Sequence, residues 1–88
     1  MRNYYSTVDE IICTFSNIEL ESSFDSISVR FERPNGNGFD FAEGKLPNNM
    51  FYKSFGFSED ELMELEDYLR RNAFIIWEIA REGSISYA

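Results

Sequence analysis

The chain has 88 residues, 43% hydrophobic and 27% charged, a composition and length that fit one globular domain. Sixteen acidic residues against eight basic ones give a net charge of −8, which argues against direct binding to nucleic acid, whose phosphates would be repelled. There is no histidine and one cysteine, Cys13, so the commonest general base, an intramolecular disulfide and a Cys/His zinc site within one chain are all excluded.

Aromatic residues make up 17% of the chain, with nine Phe, five Tyr and one Trp, which disfavours disorder. No apolar run reaches the roughly 18–20 residues of a membrane span. The opening "MRNYYSTVDEII" places Asp9 and Glu10 where a signal peptide would continue apolar. The expectation is a reduced, cytoplasmic setting without membrane contact.

Along the first 25 residues, Val8, Ile11, Ile12 and Phe15 fall on one side of a helix, and Thr7 with Glu10 has the form of a capping box. This predicts a short helix near residues 7–15. The β-formers of "IICTF" leave a strand as the alternative.

In "SISVRFER", Ile27, Val29 and Phe31 alternate with Ser28, Arg30 and Glu32, the pattern of a half-buried strand. "PNGNG" breaks it and "FDFAEG" resumes, predicting a hairpin with Phe39 and Phe41 inward and Asp40 outward. "KLPNN" turns the chain again, and "MFYKSFGF" reads as a third strand.

Ser58, Glu59, Asp60 and Glu61 form a helix start with a capping box and acids at the positive dipole end. Leu62, Leu65, Leu69, Ala73, Ile76 and Ala80 then recur as one stripe, and Gly83 is placed to end the helix. The predicted fold is α+β over residues 1–88: an antiparallel sheet of about three to four strands, a long C-terminal helix on one face and a short N-terminal element.

Few residues suggest chemistry. "RPNGNGFDFAEG" nearly spaces a calcium loop, but the leading ligand position is Arg33, and a hairpin turn explains Asn35, Asn37 and Gly38. Asp40 and Glu43 would form an acid–base pair only if they shared a site. Cys13 reads as a buried structural cysteine. No catalytic, cofactor-binding or metal-binding residue is expected.

Binding is better served. Six carboxylates lie between residues 59 and 67, and Asp60, Glu64, Asp67 and Arg71 share one ridge. Such a ridge is either a solvated face or an imitation of a phosphate backbone. Phe74, Ile75, Trp77 and Ile79 spread around the helix beyond its core stripe, so Phe74 and Trp77 are candidate contacts for a partner or a second copy.

Gly44, Leu46 and Pro47, followed by an acidic helix closing on Trp77 and Glu78, resemble the small uncharacterised α+β domains encoded near bacterial toxin–antitoxin and mobile-element genes. The resemblance covers roughly the second half of the chain. It implies a small bacterial or phage accessory protein and carries over no functional residue. The expected function is a non-enzymatic protein-binding module, an anti-CRISPR-like inhibitor or regulator. Its carboxylates Asp60, Glu64 and Asp67 would meet a basic, nucleic-acid-handling protein. The alternative is an antitoxin-like or adaptor protein held by the apolar helix surface.

Overall fold

The computed structural model describes residues 2–21 and 23–85. The strands are β1 (Arg2–Val8), β2 (Ile11–Ser16), β3 (Glu19–Glu21), β4 (Phe24–Asn35), β5 (Gly38–Leu46) and β6 (Met50–Phe55). They form one antiparallel sheet ordered β1-β2-β4-β5-β6, with β3 pairing the start of β4. Helix α1 (Glu59–Ile85) follows. At 1.5 Å per residue its length is about 40 Å, close to the 41 Å long axis of the molecule.

The α+β class and the C-terminal helix agree with the sequence pattern, but the sheet has more strands than the three to four expected. The difference lies in the N-terminal zone, which is strand and not helix over residues 7–15. Val8 faces Ile11 across a two-residue turn in which Asp9 (φ 52°) and Glu10 (φ 68°) are both left-handed. Asparagine and glycine usually mark such a turn, because other side chains crowd the backbone there. Tyr5 is a bulge between Tyr4 and Ser6. The bulge turns Tyr5 toward the helix, where its hydroxyl donates to Asn72 Oδ1 at 2.6 Å, while Ser6 meets the Tyr68 hydroxyl at 2.6 Å.

The hairpin β4–β5 forms with Asn35 opposite Gly38, and Asn35 Oδ1 accepts from the Asn37 N–H at 2.7 Å. Its facing is the reverse of the expected one. Phe31 lies opposite Ala42, so Asp40, Ala42, Gly44 and Leu46 face the helix, and Phe39, Phe41 and Glu43 face away. Small side chains let the helix and the neighbouring strand approach closely. A Cβ on Gly44 would stand 2.7 Å from the Met50 carbonyl oxygen.

The core is a single layer between sheet and helix. Cys13, Phe15, Ile27, Val29, Phe31, Ala42 and Leu46 pack on Leu65, Leu69, Ile76 and Ala80. The predicted leucine stripe is therefore the buried side of α1, with Leu62 and Ala73 at its margin. The helix does not stop at Gly83 but runs through it to Ile85. No helix is long and apolar enough to cross a membrane among the described residues. The sheet's second face is covered by no other element among them.

Candidate binding surface on the outer face of the helix

The helix is fastened at its first turn. Ser58 Oγ accepts from the Glu61 N–H at 3.1 Å, and Glu61 Oε1 accepts from the Ser58 N–H at 2.8 Å, the predicted capping box. Glu61 also receives Arg33 Nη1 at 2.7 Å. Arg33 in turn donates to Asp40 Oδ2 at 2.9 and 2.8 Å and lies 4.5 Å above the Phe57 ring. Asn35 completes the cluster with a 2.6 Å bond to Asp40 Oδ1. One arginine thus joins the β4–β5 hairpin to the start of α1.

Hydrogen bonds from Arg33, and then from the Ser58 backbone, hold the Glu61 carboxyl down at about 2, against an ordinary value of 4.5. A carboxyl depressed in the folded state contributes stability above its unfolded pKa and loses it as pH falls through the folded one. Acid should therefore weaken the protein progressively between about pH 4.5 and pH 2. Glu61→Gln is expected to flatten that part of the stability–pH curve, read from urea midpoints at a series of pH values.

Asp40 and Glu43 do not form a pair. Asp40 faces the helix and is 8% exposed, while Glu43 lies on the opposite face of the sheet, paired with Arg30. Cys13 is 1% exposed, and burial pushes its thiol up to about 12, which makes it a poor nucleophile.

The outer side of α1 is the remaining candidate. Asp60, Glu64, Asp67, Arg71, Phe74, Glu78 and Glu82 follow at three- or four-residue intervals, so they line one side, opposite the buried stripe. The charges are unevenly compensated. Asp67 is held by Arg70 at 2.7 Å and Arg71 at 3.1 Å, whereas Asp60 and Glu64 have no ion pair among the described residues. Glu64 also lines a cleft of about 240 Å³ between the β1–β2 turn and α1, together with Asp9, Phe31, Leu65 and Tyr68.

Phe74 and Trp77 are separated by the structure. Phe74 is 68% exposed on the ridge, while Trp77 is half-buried, packs against the core and lies under Arg81 at 5.4 Å. Ile75 and Ile79 are also exposed, four residues apart on a flank of the helix turned away from Phe74.

No protein-family model, curated protein or solved structure matches this chain.

Proposed function

We propose that the protein is a non-enzymatic binding module, an inhibitor or regulator from a phage or mobile element. The outer ridge of its helix would dock on a basic surface of a nucleic-acid-handling protein. The observation that carries this reading is the position of Asp60 and Glu64. Both are exposed on the outer ridge of α1, Glu64 at the mouth of the cleft beside Asp9, and both lack a compensating cation among the described residues. Steps of three and four residues space the ridge by roughly 4.5–6 Å, and fixed negative charge at such intervals suits a surface lined with Lys and Arg. Arg33, by clamping Glu61, holds that ridge in one orientation before any partner arrives.

Reversing both carboxylates, Asp60→Lys with Glu64→Lys, should abolish capture of the basic partner. The fold should survive, at a cost of about 1 kcal/mol or less from the lost dipole interaction. Capture by the immobilised variant, compared with the native chain, tests the reading, with circular dichroism confirming the fold. Equal capture by both chains would refute it.

A second reading has its own support. Phe74, Ile75 and Ile79 are exposed on the same stretch of the helix, so an antitoxin-like or adaptor role through apolar contact would be lost on Phe74→Asp and kept on the acidic reversal.

A further inference from the structure

We propose that the cleft between the β1–β2 turn and α1 receives one arginine side chain. The source of that side chain, a basic partner protein, rests on the reading above; the site itself does not.

The cleft joins an apolar interior to a charged mouth. Phe31 and Leu65 lie at its floor, 1% and 7% exposed, and Ile11 lines the hairpin side. Its volume of about 240 Å³ falls below the roughly 300–1,000 Å³ of pockets that enclose a cofactor or drug-sized ligand. It is far above the ~30 Å³ share of one water. That is room for a single long side chain.

Charge identifies the occupant. Asp9 comes to the mouth from the turn and Glu64 from the helix, and neither has an ion pair among the described residues. Arg71 is the one cation on the lining, and it is already held by Asp67, through Oδ2 at 3.1 Å and the backbone carbonyl at 3.4 Å. The hydroxyls of Ser6 and Tyr68 also line the cleft. They share one hydrogen bond of 2.6 Å, which leaves oxygen lone pairs free to accept. The matching ligand is an apolar stem that ends in a cation with several donors. Arginine has both parts, a methylene stem and a planar guanidinium whose N–H groups bond carboxylates in pairs and shed water more readily than an ammonium. The turn that presents Asp9 is also strained. Asp9 and Glu10 are both left-handed, where Asn-Gly would sit with less crowding.

Titration of the isotope-labelled full chain with N-acetyl-arginine amide, followed by NMR at constant ionic strength, tests the site with no partner present. The backbone amide signals of Asp9, Ile11, Glu64 and Leu65 should shift together and saturate, with a Kd on the order of millimolar for a ligand of about a dozen heavy atoms. N-acetyl-citrulline amide has the shape without the charge, and guanidinium ion the charge without the stem. Each should bind about tenfold more weakly, or worse. Asp9→Asn with Glu64→Gln should lower the affinity for the arginine amide by about tenfold, and asparagine suits the left-handed turn, so the fold is kept. Asp60→Asn, on the ridge outside the cleft, should change it by less than about twofold. Arginine and citrulline amides binding alike would overturn the proposal. So would an affinity untouched by the double variant, shifts spread evenly along the acidic helix, or no saturable shift at all. Any of these, with capture of a basic protein intact, leaves the acidic ridge standing without the cleft. Amide binding with no capture leaves the site and removes the partner protein as its source.

Discussion

Phe31→Ala should cost about 3–5 kcal/mol of folding stability, measured as a shift in the urea midpoint. For a chain of this length total stability is on the order of 4–13 kcal/mol, so the variant loses roughly a quarter of it or more. Phe31 is 1% exposed at the centre of the sheet. Its ring meets Phe51 edge-on at 5.8 Å and Tyr68 edge-on at 6.0 Å, so it joins β4 to β6 and to α1 at once. None of these neighbours can collapse into the space without moving a strand or the helix. Phe41→Ala is the matched control. Phe41 lies on the open face, and its loss should cost about 1 kcal/mol or less, from its cation–π contacts. Comparable losses for the two variants would reverse the facing of β5.

Gly56→Ala should be nearly as damaging, by about 2–4 kcal/mol. Gly56 has φ +91°, a region that side chains rarely adopt. An added Cβ would overlap the Asp40 carboxylate, standing 2.6 Å from its Cγ and 2.9 Å from its Cβ. That carboxylate cannot swing away freely, because Arg33 and Asn35 hold both of its oxygens. The substitution therefore strains the backbone and disturbs the clamp on α1 together. A double-mutant cycle separates the two effects. With Asp40→Ala in place the collision with the carboxylate is gone and only the 2.9 Å approach to the remaining Cβ is left, so Gly56→Ala should then cost little beyond its backbone strain. Strict additivity of the two substitutions would show that no collision occurs.

The parts of the fold that follow from local rules were legible in the chain itself. The capping box of Ser58 and Glu61 and the stripe through Leu65, Leu69 and Ile76 are interactions over three or four residues, and both stand as expected. The N-terminal hairpin was not legible, since Asp9 and Glu10 adopt a left-handed turn without the residues that normally announce one. Its apolar residues also happen to fall at helical spacing. The facing of β5 was ambiguous because both of its sides carry apolar residues. Phe39 and Phe41 are the larger, but register with Phe31 selects Ala42 and Leu46 for the core.

The same division runs through the candidate site. Asp60, Glu64, Asp67 and Arg71 could be placed on one ridge from spacing alone. The half-burial of Trp77 could not, because it depends on where the sheet ends beneath the helix. The Arg33–Asp40–Glu61 cluster was missed for a different reason. Its ion pairs span 7 and 28 residues of sequence, and the outward facing assigned to Asp40 hid the one signal that could have found it.

The most direct test of the acidic ridge is a salt series. The native chain and the Asp60→Lys, Glu64→Lys variant are immobilised side by side, exposed to nuclease-treated host lysate, and eluted in steps of rising ionic strength. A nucleic-acid-handling protein should be retained by the native chain at low salt, released as exposed charges are screened, and never retained by the variant. Retention by both chains, unchanged at high salt, would contradict it.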